Sequence, residues 1–252
     1  VNPLLNAGYV NLQFPGVSNI CQGGSFSSFG QVYKAGLTEA AGAGSGIVAE
    51  FGLSPVNTNS NPSTWTNWTT AGFNVQSGNN DEFTYSTGNS LAPGTYYYTY
   101  RYSLNGCGYQ YGGFPGTGDG SRNGRNNISG GLTVSAHTTP PPSIASSAGT
   151  TICQGTSITV TATASNTGGG SVTYNFKVNG NSVQNSNSNQ YTTTSLLNGQ
   201  SISCEISISA GTCLTATTAN SNSLAFTVDS TLTPSVNLAA NIPSPICFGT
   251  AV

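Results

Sequence analysis

Catalysis needs ionisable side chains that can converge, and this chain of 252 residues offers one histidine, seven acids and five bases. His137 lies in the run His137-Thr138-Thr139-Pro140, so a Ser-His-Asp triad would have to assemble outside either core. No Gly-x-Ser-x-Gly elbow stands in a strand-turn-helix setting. The acids are Glu39, Glu50, Asp81, Glu82, Asp119, Glu205 and Asp229, and only Asp81 and Glu82 are adjacent. On a strand their side chains point to opposite faces, which does not suit the paired carboxylates of glycoside hydrolysis. A calcium ion accepts oxygens from loops, and Asn79, Asn80, Asp81 and Asp119 could supply them, although two carboxylates give weak affinity and an ordinary Asn/Asp turn fits the same residues. Trp65 and Trp68 are either a platform on which sugars stack or members of a core with cross-strand pairs. No catalytic residue is assigned.

Composition narrows the class. Charged residues make up 5% of the chain, methionine is absent, and the net charge is −2. Five bases (Lys34, Arg101, Arg122, Arg125, Lys177) cannot neutralise a row of phosphates, which excludes nucleic acid as a partner. No stretch approaches 18 apolar residues, so insertion in a membrane as a helix is not expected. The solvating groups must be Ser, Thr, Asn, Gln and Gly. With 2 Trp, 12 Tyr, 10 Phe and many Thr/Val/Ile runs, the chain nevertheless has the makings of a core, unlike a disordered segment.

The elements that would position these residues are strands. Tyr9 to Phe14 alternates and is closed by Pro15-Gly16; Ser25 to Tyr33 and Ile47 to Leu53 follow. Gly94 to Leu104 is the strongest, with Tyr96, Tyr98, Tyr100 and Tyr102 on one face and Thr95, Tyr97, Thr99 and Arg101 on the other. A Tyr just after the turn Ala92-Pro93-Gly94 is what the tyrosine corner of a β-sandwich requires. Asn105-Gly106 signals a type I′ hairpin into Tyr109 to Tyr111, and Gly116 to Gly131 reads as a long exposed loop. Downstream, Ser157 to Ala164, Val172 to Val178, Gln190 to Thr194, Ser201 to Ser209 and Leu224 to Val228 repeat the pattern without a helical period.

Three openings, Ile20-Cys21, Ile152-Cys153 and Ile246-Cys247, punctuate the chain. The last two lie 94 residues apart, and the same offset carries Leu132-Thr133-Val134 onto Phe226-Thr227-Val228 and Thr139-Pro140 onto Thr233-Pro234. The expected organisation is a linker (1–8), a first β-sandwich (9–135), a stiff Pro-rich linker (136–143), a second sandwich (144–229), and a linker with the start of a third repeat (230–252). The expected fold is all-β: tandem, antiparallel, immunoglobulin-like or PKD-like sandwiches in an elongated array.

Six cysteines without paired Cys-x-x-Cys spacing point to disulfides and an oxidising, extracellular or cell-surface location. Each module has one cysteine at its Ile-Cys opening and one at a late hairpin, which predicts Cys21–Cys107 and Cys153–Cys213, each contributing roughly 4 kcal/mol in the chain-entropy account. Cys153–Cys204 is the competing pairing; otherwise Cys204 is a buried thiol, and Cys247 awaits a partner in the third repeat.

Ile152-Cys153-Gln154-Gly155-Thr156-Ser157-Ile158-Thr159-Val160, with Tyr174-Asn175-Phe176-Lys177-Val178-Asn179-Gly180 and Ile202-Ser203-Cys204, resembles the PKD-like and immunoglobulin-like repeats of giant Bacteroidota surface proteins. Those include gliding-motility adhesins exported by the type IX secretion system. That family often has Trp where Phe176 stands here. The first module, through Thr64-Trp65-Thr66-Asn67-Trp68 and Pro93-Gly94-Thr95-Tyr96, is similar to another module of secreted flavobacterial proteins. The resemblance implies lineage and export, and the tandem period with the start of a third repeat points to a structural segment of an adhesin stalk or filament, with neighbouring repeats of the same polypeptide as partners. A carbohydrate-binding module gripping surface polysaccharide through Trp65 and Trp68, or accessory domains of a secreted enzyme, are the alternatives. In that phylum Asp229-Ser230-Thr231 matches an O-glycosylation pattern, which would place a glycan on Ser230. Asn67-Trp68-Thr69 and Asn127-Ile128-Ser129 match the N-glycosylation sequon.

Overall fold

The computed structural model describes residues 6–57, 62–239 and Phe248. Ile246-Cys247 and most of the expected third repeat lie outside the described residues. Among the described residues, apart from one 3₁₀ turn at Pro62–Thr64, the regular structure is all β. The chain divides into two compact units, one formed by Val1–Thr139 with Thr212–Thr215 and the other by Pro140–Gly211 with Ala216–Val252.

The first unit contains β1 (Tyr9–Phe14), β2 (Val17–Cys21), β3 (Phe26–Tyr33), β4 (Ile47–Ser54), β5 (Trp68–Thr70), β6 (Gly72–Ser77), β7 (Asn80–Thr87), β8 (Gly94–Leu104), β9 (Cys107–Tyr111) and β10 (Gly130–Ser135). One sheet runs β1-β3-β7-β6 and the other β2-β10-β8-β4-β5, with β9 also on β8. The tyrosine ladder of β8 joins them. Tyr98, Tyr100 and Tyr102 point inward and are fully buried, as period-two alternation requires. Their hydroxyls donate to the Pro15, Ser28 and Asn11 carbonyls at 2.5, 2.7 and 3.1 Å. Each ring therefore adds apolar burial worth about 2–3 kcal/mol while its polar end is satisfied on the facing side. Tyr96 donates to the Ala92 carbonyl at 2.9 Å, which is the expected tyrosine corner. Asn105 and Gly106 both have positive φ (50° and 73°), the geometry of the type I′ hairpin.

The second unit contains β11 (Ser143–Ser146), β12 (Thr151–Cys153), β13 (Ile158–Thr163), β14 (Ser171–Val178), β15 (Asn181–Ser186), β16 (Gln190–Thr193), β17 (Ser201–Ser209), β18 (Thr218–Asn220), β19 (Leu224–Ala225) and β20 (Thr227–Asp229). Its sheets are β11-β13-β16, β12-β20 and β15-β14-β17-β18, with β19 also on β17. Ile158, Val160, Ala162, Phe176, Ile202, Cys204 and Ile206 are buried at alternate positions of their strands.

Between the named strands, pairing is antiparallel, as expected of the sandwiches, apart from one parallel pair at each of the two Ile-Cys openings; the isolated bridges Asn11–Gly113 and Thr138–Leu214 are parallel as well. β2 runs parallel to β10, with Ile20 opposite Val134 and Cys21 opposite Ser135. β12 runs parallel to β20, with Ile152 opposite Val228 and Cys153 opposite Asp229. Each opening thus closes its own sandwich against that sandwich's last strand.

Candidate functional site

Asp81, Glu82 and the pairs Glu50–Arg101 and Glu205–Lys177 are engaged in holding the fold. On β7, Asp81 is fully buried and its Oδ2 accepts the Gly44 N–H at 2.7 Å. Desolvation raises its pKa above the ordinary aspartate value, with the Gly44 bond acting the other way. Glu82 accepts instead from Asn74 at 2.6 Å. Asp81 is therefore not a solvated turn residue, because the strand begins at Asn80 and draws it inside. Asp119 is exposed and accepts the Ser121 N–H through Oδ1 at 3.0 Å, while its carbonyl receives the N–H of Val10 on β1. With β3 between β1 and β7, the calcium candidates Asp81 and Asp119 are served by different neighbourhoods at least two strand spacings apart, roughly 10 Å. No group of three His, Cys, Asp or Glu side chains suited to a metal is present among the described residues.

The outer face of β4 and β8 carries an aromatic layer around one ion pair. Arg101 and Glu50 are cross-strand neighbours with Nε to Oε2 at 2.7 Å. The Arg101 guanidinium lies 4.2 Å from the Trp68 ring centre and 3.7 Å from that of Tyr109. Trp68 also stacks on Trp65, at 5.9 Å between centroids, and donates its indole N–H to the Trp65 carbonyl at 2.8 Å. Trp65 is only 6% exposed. The space above Gly52 is filled by Trp68, since a Cβ there would lie 2.5 Å from the ring. Trp65, in the segment before β5, is buried, and Trp68, at the start of β5, is half-buried with Arg101, Gly52 and Trp65 packed against it. The packing reading of the two rings therefore fits this geometry better than a sugar-stacking platform.

Asn127, a sequon asparagine, is buried. Its Oδ1 accepts from the Gly116 and Thr117 N–H groups and the Thr117 hydroxyl, and its Nδ2 donates to the Thr117 and Ser121 carbonyls. This side chain organises the loop that the sequence presented as open, and spacing alone gave no sign of it. Ser230, directly after β20, is exposed.

The cysteines depart most from expectation. Cys21 is bonded to Cys213, with a Cα–Cα distance of 5.2 Å, across a sequence separation of 192 residues. Cys107 and Cys204 are buried thiols and Cys153 is an exposed one, so the expected Cys21–Cys107, Cys153–Cys213 and competing Cys153–Cys204 pairings are all corrected. The reason is positional. Cys21 continues past Val134, which pairs with Gly94 at the start of β8, whereas Cys107 pairs with Leu104 at its end. Ten residues of strand separate the two levels, about 33 Å, while a disulfide needs Cα atoms within about 7 Å. Likewise β20 runs beyond the Ser201 end of β17, where Ala225 pairs, and Cys213 follows its Ser209 end. Burial of Cys204 opposite Phe176 raises its thiol pKa to about 11.

The Cys21–Cys213 staple belongs to the first unit, which includes Thr212–Thr215. There the Thr138 N–H donates to the Cys213 carbonyl and the Thr215 N–H to the Thr138 carbonyl, both at 2.9 Å. The Thr139 and Thr215 hydroxyls meet at 2.7 Å. A recess of about 170 Å³ beside the bond is lined by Asn19, Ile20, Cys21, Ser135, Thr212 and Cys213.

No protein-family model and no curated protein matches this sequence. Among solved structures, the fibronectin(III)-like modules of Clostridium thermocellum CbhA match with 13% identity over 88% of this chain and 94% of that one, at a TM-score of 0.30. A marsupial T cell receptor matches with 14% identity over 92% and 75%, at 0.37. A membrane-anchored protein of Corynebacterium diphtheriae, described as putative, matches with 12% identity over 88% and 54%, at 0.30. These superpositions are loose, and the β-sandwich architecture is defined by this chain's own sheets.

Proposed function

We propose that this chain is a structural segment of a long extracellular filament or adhesin stalk, built from disulfide-stapled β-sandwich repeats whose partners are neighbouring repeats of the same polypeptide. The observation that carries this reading is the Cys21–Cys213 bond, which closes a loop of 192 residues in a chain whose two Ile-Cys strands close two sandwiches in the same register. A bond of this kind suits load-bearing at an oxidising cell surface. It removes denatured-state freedom worth about 5 kcal/mol in the chain-entropy account and limits how far the chain extends under force. The role of Asp81, Glu50 and Arg101 in packing supports a non-enzymatic segment. The Bacteroidota, type IX and gliding assignment rests on the sequence resemblance alone.

The test is single-molecule stretching between the chain ends with and without a thiol reductant. Full unfolding is expected to release about 650 Å more length after reduction, from ~3.4 Å per residue over the enclosed loop. Equal lengths in the two conditions would remove the stapled-stalk mechanism.

A further inference from the structure

We infer that Cys153 and the exposed residues Leu232 and Thr233 form a covalent docking site for a cysteine-bearing loop like Gly211–Thr215, supplied by another sandwich module of the second unit's type. The inference deepens the proposed function by naming how such modules couple. It rests on the repeat, not on the filament.

The first observation is that Cys153 occupies the same local frame as the bonded Cys21. Both end a short strand parallel to the last strand of their own sandwich, each one residue after an Ile-Val pair in the same register. The next residue donates its N–H to that last strand in both: Gln22 to Ser135 at 2.8 Å, Gln154 to Asp229 at 2.9 Å. Both cysteine carbonyls then close a turn, accepting from Gly24 at 2.8 Å and Thr156 at 3.1 Å. Gly23 and Gly155, with φ of 82° and 84°, supply the left-handed residue each turn needs. Two backbones so alike present their sulfurs alike, yet Cys21 is bonded and Cys153 is an exposed thiol.

The second observation concerns the strip beside each sulfur. In the first unit Thr138 and Thr139 seat the incoming loop, through the Thr138 bonds to Cys213 and Thr215 and the Thr139–Thr215 hydroxyl contact. The 94-residue offset carries these two residues onto Leu232 and Thr233. Both are exposed, Leu232 to 91%. Leu232 comes three residues after Asp229, which pairs with Cys153, just as Thr138 comes three residues after Ser135, which pairs with Cys21, so each strip leaves the last strand from the level of its cysteine.

The chemistry is thiol–disulfide exchange with a small disulfide of the oxidising compartment, such as glutathione disulfide. The Cys153 thiolate attacks it, forming a mixed disulfide and releasing one glutathione. The loop cysteine's thiolate then displaces the second glutathione. The two thiol protons end on the two glutathiones, whose S–S bond has been reduced as the protein S–S bond forms.

The probe is a second copy of the chain. A donor carrying Cys21→Ser and Cys153→Ser presents a free Cys213, and the recipient keeps Cys153; Cys247→Ser in both removes that thiol. A wild-type chain briefly reduced to release Cys213 serves as a second donor should the substituted one fold poorly. After incubation with glutathione disulfide, non-reducing electrophoresis and peptide mass spectrometry should find Cys153–Cys213 as the main linkage. Leu232→Pro in the recipient deletes the N–H equivalent to that of Thr138 and should lower the yield several-fold. Only glutathionylated Cys153 or Cys153–Cys153 dimers, or a yield unchanged by Leu232→Pro, would overturn the inference. A positive stretching result with no Cys153–Cys213 linkage would leave the stalk standing without this site.

Discussion

Gly30 on β3 and Tyr102 on β8 oppose each other inside the first sandwich so closely that a Cβ on Gly30 would lie 2.4 Å from the Tyr102 hydroxyl and 2.7 Å from the Tyr100 ring. The tyrosine ladder fits because the facing strand has no side chain at that point. Gly30→Ala is expected to destabilise the protein by about 2–3 kcal/mol, the range of core overpacking, as read from urea unfolding. Unchanged stability would mean the sheets can part without loss.

The hydroxyls of the same ladder can be weighed one at a time. Tyr100→Phe removes the 2.7 Å bond to Ser28 and leaves a buried carbonyl one partner short. It should cost about 1–1.5 kcal/mol, whereas Tyr97→Phe on the outer face should cost less than about 0.5 kcal/mol. Thermal unfolding of the two variants checks the contrast.

Asn127 is expected to behave as an internal strut rather than a glycan acceptor. Asn127→Ala deletes five hydrogen bonds around Gly116, Thr117 and Ser121 and should lower stability by about 3 kcal/mol. Glycopeptide mapping of protein from a glycosylating host should find no sugar at Asn127, because a buried amide with both ends engaged cannot be reached without unfolding the loop.

Asp81 makes stability depend on pH with a definite sign. Its folded pKa is raised by burial, so the fold favours the protonated form; that contribution is fully present below the unfolded pKa and is lost as pH rises through the higher folded value. Asp81→Asn can keep the Gly44 bond while abolishing the charge. The variant should gain stability relative to wild type as pH rises from about 4, the ordinary carboxylate range. A difference that shrinks with rising pH would contradict the assignment.

For the aromatic layer, Trp65→Ala and Trp68→Ala should each lose about 3 kcal/mol by emptying packed space, and a glycan array should show no aromatic-dependent signal. Retained stability with lost glycan binding would reinstate the platform reading.

How much of this was legible depends on what each residue faces. β8 was readable to the residue because four tyrosines in alternation can serve only a strand with one buried face. β17 was equally plain from Ile202, Cys204, Ile206 and Ile208 in alternation. β6 and β15 were not visible, because as edge strands they bury almost nothing and so carry no pattern. The Ile-Cys repeat announced its importance, but its parallel pairing depends on the last strand, more than 70 residues away in the second unit and over 100 in the first. The cysteine partners failed for a related reason: proximity in the order of elements says nothing about which end of an 11-residue strand each cysteine reaches. Asp81 and Asn127 had no signal in residue type or spacing, since a polar residue in a turn-rich stretch looks the same whether water or backbone surrounds it.

The bond between Cys21 and Cys213 also governs what happens when the chain is damaged. A protease cutting once anywhere between residues 22 and 212 severs the backbone but not the molecule, because both fragments remain tied through the two sulfurs. Outside a cell, where peptide bonds are broken and not remade, a nicked copy would still hold its two ends together and run as one species until it met a reductant.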